Sequence, residues 1–367
     1  MESSINSKKI LLVATEFGPG MSAFATTIAK TLMEDSSLDV SFLTVTKKED
    51  SGNIVFTNQG NKVYCIKYPK HKIVRFFYKF YPIKIIKELN RLMLINEYDV
   101  IHFLTGDFAL FPWLFLTNKW GGNFYYNVHD LHRHEYNFSF LKKHMINYMF
   151  WGNSHMYKYI KNLNTSSLTQ YDELKKLYPQ KNIFFTHAPS VITESVMNGK
   201  MKVKELIGMN NYILFFGSVD LYKGVDILID AYKKSKIQNK YKLVIAGKGI
   251  DFENLSENII RINRFIHDSE VRSLYENASF TVYPYRSATQ SAITALSFYF
   301  RKKAILSDIP FFIENKTEDT DFFKCGDSDD LKEKLDNMIV KDASFASYEK
   351  LYSPKVLLND YKKMYCL

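Results

Sequence analysis

Cysteine is scarce. Three in 367 residues, Cys65, Cys325 and Cys366, form no C-x-x-C pair. That argues against a disulfide framework and a cysteine zinc site. Glycine (15) and proline (9) are few as well, and no tract is repetitive, so collagen-like and low-complexity chains are excluded. Long apolar runs are missing. The longest, Phe108 to Leu116, is far short of the roughly 20 residues of a spanning helix. The run Ile10 to Ala14 is too short for a signal peptide and lacks a cleavage pattern. These features predict a protein made and kept in the cytoplasm. Acids are outnumbered, 39 to 49, for a net charge of +10. The excess suggests an anionic partner: nucleic acid, a membrane surface or a phosphorylated small molecule.

What is present is globular. The chain is 46% hydrophobic and 24% charged, with 57 aromatic residues (25 Tyr, 29 Phe, 3 Trp). At roughly 100–200 residues per domain it has the length for two cores. The positive charge is concentrated. Between Lys67 and Arg91, eight cations face one acid, Glu88. From Pro82 onward the apolar spacing predicts an amphipathic helix to Ile95. Before it, Lys70, Lys72, Arg75 and Lys79 mix with Phe76, Phe77 and other aromatics with no clear period. That mixture suits an anionic bilayer interface. Single-stranded nucleic acid binding uses the same residue types, but no RNA- or DNA-reading motif accompanies them.

Strand-like runs alternate with helical stretches. Lys9–Thr15, Asp39–Val45, Asp99–Phe103, Phe124–His129, Ser166–Thr169 and Ile183–Phe185 read as strands. Ser190–Asn210 reads as a polar linker. The pattern then restarts with Tyr212–Phe216, Tyr241–Ala246, Ile259–Ile262, Phe280–Tyr283 and Ala304–Ser307. Helices are expected at Val225–Ser235, Asp268–Glu276 and Gln290–Phe300. Apolar strands separated by helices predict parallel sheets covered on both faces. The expected domains are 1–195 and 196–350, with a last helix in 351–367 that packs back on the first.

In doubly wound sheets ligands bind beyond the carboxyl ends of strands, at helix starts. Three such turns stand in the second half: Gly217 to Lys223, Gly247 to Gly249, and Pro284 to Ser291, which holds Arg286, Thr289 and Gln290. Together they suit a nucleoside diphosphate, although none matches the dinucleotide or P-loop pattern. In the first half, Gly18-Pro19-Gly20 opens a helix. His129 leads the polar cluster His129 to Glu135. Its spacing is not H-E-x-x-H, so metal is not expected. His102 reads as a core histidine. Asp107 suits an acceptor hydroxyl or the cap of a turn equally well.

The blocks Phe215 to Ala231, Leu243 to Gly249, Phe265 to Val271, Tyr283 to Ser291 and Asp308 to Glu314 resemble, in order and spacing, retaining GT-B glycosyltransferases of family 4. The run Tyr283 to Ser291, followed by Asp308 to Glu314, resembles a branch with a P-Y-x-x-A-T-Q-S-G signature. The resemblance spans about Tyr212 to Asp336; Gly18–Gly20 and Val128-His129-Asp130 extend it loosely into the first half. It implies two Rossmann-like doubly wound domains facing across a cleft, with a nucleotide-sugar donor in the second. Lys223 would neutralise diphosphate oxygens, Thr289, Gln290 and Ser291 would hold phosphate, and Arg264, Phe265 and Ile266 would lie near the base. Glu314 would meet donor hydroxyls, and His129 would touch the transferred sugar. Gly18 and Gly20 would approach the donor phosphate, and no metal or other cofactor is implied. The chain departs from the family at Asp220, where many members carry a cation, and at Ala292, where the branch has glycine. Aligning Arg301 to Ala304 with the family's G-K-P-V places Ala288 and Leu296 where the paired glutamates stand. The expected function is sugar transfer from a nucleoside diphosphate to a saccharide acceptor, lipid-linked and bound for a bacterial surface polysaccharide. With no nucleophile pair evident, front-face displacement is expected. A non-catalytic homologue, built on Asp220, Ala288 and Leu296, is the competing expectation, and a metal-dependent hydrolase is a third.

Overall fold

A computed structural model describes residues 8–16, 19–46, 62–78, 80–117, 123–132, 140–190, 192–289 and 291–367. Two compact units emerge, divided between Pro189 and Ser190, and residues 357–367 rejoin the first.

The first unit runs β1 (Lys9–Ala14), α1 (Pro19–Met33), β2 (Asp39–Thr46), β3 (Lys62–Lys67), α2 (Lys72–Tyr78), α3 (Ile83–Ile95), β4 (Val100–Phe103), α4 (Phe111–Thr117), β5 (Phe124–Asn127), α5 (Phe140–Tyr159), β6 (Asn162–Thr165), α6 (Leu168–Leu177) and β7 (Asn182–Phe185). The seven strands lie in the order β3-β2-β1-β4-β5-β6-β7, and every pairing is parallel. Central strands such as β1 are apolar because both of their faces are covered: Ile10, Leu12 and Ala14 pack on the α1 side and Leu11 and Val13 on the other.

The second unit runs α7 (Glu194–Met197), β8 (Tyr212–Phe216), α8 (Val225–Lys234), β9 (Leu243–Ala246), β10 (Ile259–Ile262), α9 (Asp268–Glu276), β11 (Ala278–Tyr283), α10 (Ile293–Tyr299), β12 (Ala304–Ser307), α11 (Pro310–Glu314), β13 (Thr320–Phe323), α12 (Ser328–Asp336) and α13 (Phe345–Tyr352). Its sheet, β10-β9-β8-β11-β12-β13, is again parallel. A last helix, α14 (Pro354–Tyr365), contributes Leu357, Tyr361, Met364 and Tyr365 to the core of the first unit. Among the described residues no helix is long and apolar enough to cross a membrane.

Four local expectations change. Ser166–Thr169 is not a strand: β6 lies just before it, and Ser167 caps α6 by accepting from the Gln170 N–H at 3.3 Å. Ser190–Asn210 is not a free linker, because Val196, Val203 and Leu206 are buried in the second unit. The aperiodic basic stretch contains the helix α2. The helix expected from Gln290 begins only at Ile293.

Candidate functional site

Both sheets reverse strand direction of growth at one point, between β1 and β4 in the first unit and between β8 and β11 in the second. Such switch points leave a crevice beyond the carboxyl ends of the strands.

In the second unit the loops leaving β8, β9 and β11 are locked edge to edge. Gly217 has φ 134° and nothing within 4 Å of where a Cβ would stand, so its backbone is open to a ligand. Its N–H donates to Ala246 O at 3.0 Å. Gly247 sits so close that a Cβ would fall 1.9 Å from Gly217 O. Gly224, at φ 64°, opens α8, and a Cβ there would fall 1.9 Å from Pro284 O. Only glycine permits both the left-handed backbone and the contact.

Lys223 precedes Gly224. Its ammonium lies 3.7 Å from the centroid of the Tyr285 ring and 4.7 Å from that of Tyr222, a cation–π seat. Burial pushes the Lys223 ammonium down to about 7, while the nearby Asp220 carboxylate opposes the shift. The acid at 220 thus helps to keep this lysine charged. Thr289 and Ser291 lie in the loop before α10, and Gln290 lies outside the described residues. Glu314 ends α11, beyond the carboxyl end of β12, and is half-buried.

Two expected donor-binding cations carry other duties. Arg286 makes a bidentate pair with Asp226 at 2.6 and 2.8 Å and donates to Leu221 O at 2.8 Å. It fastens the loop after β11 to the start of α8, with its charge balanced. Arg264 is held by Glu205 and Glu270 through four bonds of 2.7–2.8 Å. Glu270 also accepts from the His267 N–H at 3.0 Å, closing the capping box of α9. Ile266 is buried, which leaves Phe265, 54% exposed, as the reachable ring of that turn. Leu296 is a core residue, and Ala288 packs partly buried on the other cluster. Arg301 has φ 54°, a conformation suited to the glycine that the alignment sets there.

In the first unit, Asp107 is buried at φ 37°. Its carboxylate accepts from the Thr15 N–H (2.8 Å), the Thr15 hydroxyl (2.5 Å), the Thr105 N–H (3.1 Å) and the Thr105 hydroxyl (2.9 Å). With four donors it ties β1 to β4, and the geometry favours turn-holding over acceptor contact. The His129 Nε2–H donates to Leu104 O at 2.8 Å, and its ring stands 4.9 Å from Phe24. His102 is fully buried between Tyr365 Oη (2.6 Å) and Asn127 Oδ1 (2.9 Å). Burial drives its pKa down to about 3. Gly20 lies in α1, with open space where a Cβ would stand. Gly18, His134, Glu135 and Lys79 lie outside the described residues.

Two residues at the switch points escaped the sequence reading. Tyr285 appeared only as part of a motif, not as a seat for Lys223. Glu16 follows β1 directly, and burial, then the charges of Asp107 and Asp130, raise its pKa to about 7. An acid placed between an apolar strand and a glycine loop was the available signal.

This architecture is that of the GT-B glycosyltransferases. Residues 196–351 match the family described as Glycosyl transferases group 1. HepE from Anabaena, solved with UDP and glucose, is similar over 97% of this chain and 98% of its own (TM-score 0.65, 13% identity). Sucrose-phosphate synthase from Thermosynechococcus elongatus is similar over 98% of both chains (TM-score 0.65, 11% identity). S. aureus TarM, solved with UDP, fondaparinux and α-GlcNAc-glycerol, covers 98% of this chain and 99% of its own (TM-score 0.63, 12% identity). No curated protein sequence matches the chain.

Proposed function

We propose that the protein is a glycosyltransferase that moves a sugar from a nucleoside diphosphate to a hydroxyl of a saccharide acceptor. The observation that carries this reading is Lys223, seated on Tyr285 in the same β8–α8 connection as the open backbone of Gly217, at the switch point of the second unit. A departing nucleoside diphosphate gains negative charge. A preorganised ammonium in a partly dry site stabilises that charge more than water does. Open strand-end backbone lets phosphate oxygens approach closely. The matched family in 196–351 and the UDP held by HepE and TarM support a nucleotide-sugar donor.

The finer reading is retention of configuration by front-face displacement, without metal, with His129 at the transferred sugar and Glu314 at donor hydroxyls. No carboxylate pair stands at Ala288 and Leu296 to serve a two-carboxylate mechanism. The acceptor is read as lipid-linked, for surface polysaccharide, and the enzyme as peripheral at the cytoplasmic face of a membrane; the basic aromatic segment Lys67–Arg91 supports this. Those same two apolar positions favour a second reading, a non-catalytic GT-B homologue that binds without turning over. Turnover of a panel of UDP-, GDP-, ADP- and CDP-sugars separates the two. In the active case Lys223→Ala lowers kcat/KM by about 10²-fold or more. Near-normal turnover in that variant removes Lys223 from the diphosphate.

A further inference from the structure

The first unit carries an aromatic seam that is exposed at its two ends and half-buried or buried between them, at Phe80, Tyr148 and Phe111. Helix α2 turns Ile73 (64% exposed), Val74 (52%), Phe76 (53%) and Phe77 (65%) outward. An aromatic chain leads away from it: Phe76 to Phe80 (ring centroids 5.1 Å), Phe80 to Tyr148 of α5 (4.8 Å), and Tyr148 to Trp151 (5.9 Å). Trp151 meets Phe111 of α4 at 5.3 Å, and Phe111 meets Phe115 at 5.9 Å. The far end is exposed again, at Trp151 (48%), Phe115 (55%) and Leu116 (74%). A seam of this kind on a folded surface marks an interaction site.

The charges around it choose the partner. Lys70, Lys84 and Lys87 are exposed and Arg75 is half-buried. None of the four pairs with a carboxylate among the described residues, because the single acid of the stretch, Glu88, is taken by Arg91 at 2.5 and 3.0 Å. Unpaired cations beside bulky apolar and aromatic side chains complement a layer that is anionic at its surface and apolar beneath.

We propose that this seam is a two-point membrane anchor. The outward face of α2 enters an anionic bilayer at one end, and Phe115, Leu116 and Trp151 enter it at the other. The tested surface deepens the membrane-side reading of the acceptor and rests on it. It adds α4 and α5, which the basic segment does not include.

Flotation with vesicles of phosphatidylcholine, alone or with about one-third phosphatidylglycerol, tests the anchor. The full chain is expected to float with the anionic vesicles and to be released by salt. Phe76→Ser/Phe77→Ser and, separately, Phe115→Ser/Trp151→Ser are each expected to weaken association by about tenfold or more. Unchanged flotation in the second variant reduces the anchor to one point and overturns the proposal. So does a wild-type chain that ignores both vesicles. Sedimentation that shows a dimer, split by Phe76→Ser/Phe77→Ser, would assign the seam to a second copy instead. Melting temperature and the thermal shift by nucleotides report folding in every variant. If no nucleotide shifts any of them, the transferase reading fails while the flotation result stands.

Discussion

Lys223 and Glu16 each lie between the first strand of a unit and the helix that follows it, and burial displaces their pKa values in opposite directions. Glu16 is pushed up to about 7, toward its neutral form, and Lys223 is pushed down to about 7, also toward its neutral form. Burial at each switch point therefore works against a charged side chain. For Lys223 the consequence can be measured. The unfolded chain holds this proton up to pH about 10.4; the folded chain releases it near 7. Between those values the unfolded state binds more protons, so this lysine makes stability rise with pH. A bound diphosphate reverses the bias, because it favours the ammonium. Below pH 7 the lysine is already charged and binding takes up no proton through it. Above pH 7 binding must draw a proton in, and affinity falls by up to about tenfold per pH unit. Calorimetry at pH 8 in two buffers of different ionisation enthalpy should read an uptake approaching one proton, and none through this site in Lys223→Met. Equal uptake in both would place the diphosphate elsewhere.

At the scale of elements, the glycines that join three loops should matter more than any single loop residue. In Gly224→Ala the new Cβ meets Pro284 O, and the residue must hold φ 64°. The left-handed backbone alone costs about 1–2 kcal/mol, and relieving the contact shifts Lys223 off Tyr285. A lower melting temperature and a donor affinity down by about tenfold or more are expected. Gly20→Ala is the contrast: it lies in helix α1 with open space around it, so stability should rise by about 0.5–1 kcal/mol. If turnover falls in that same variant, the loop needs bare backbone for the donor. Elements with apolar periodicity were legible in the sequence. α9 lies where it was expected, and α3 buries Ile85, Ile86, Leu89 and Leu92 along one face. β6 was not legible, because it reads Asn-Leu-Asn-Thr. Its amide nitrogens are paired inside the sheet: Asn162 donates to Phe124 O, and Asn164 donates to Asn127 Oδ1 and Thr186 Oγ1, while Asn164 Oδ1 is buried with no partner among the described residues. Hydropathy sees polar residues; only the folded neighbours show that they are buried and paired. The same limit hid the partners of Arg264 and Arg286. A sequence shows a cation after a strand but not the carboxylates, from residues 205 and 226, that reach it across the fold.

At the scale of the molecule, two sheets that share one strand order, the first with a seventh strand added, are built from one chain, yet the first unit is not a continuous stretch of it. Its core is completed by the last eleven residues, 357–367. Tyr361 and Tyr365 are fully buried there, with Leu357 and Met364 beside them. Polar contacts fix the register: Tyr365 Oη meets His102 at 2.6 Å, Asp360 accepts from His187 N–H at 2.8 Å and Nδ1 at 2.7 Å, and Lys362 pairs with Asp35 at 2.5 Å. Four buried side chains contribute about 6–12 kcal/mol, which matches the net stability of a whole domain. Removing residues 357–367 should therefore unfold the first unit rather than trim it, and His102 would lose the partner of its Nδ1. The second unit keeps its own sheet, its two clusters and the Lys223 site. A chain ending at Val356 is expected to lose the first unit's thermal transition and to keep one transition that nucleotides still raise. Retention of both transitions would show that the first unit closes its core without α14. Loss of both would show that the second unit depends on the first for its fold, even though the lysine and the glycine loops that define its site all lie within it.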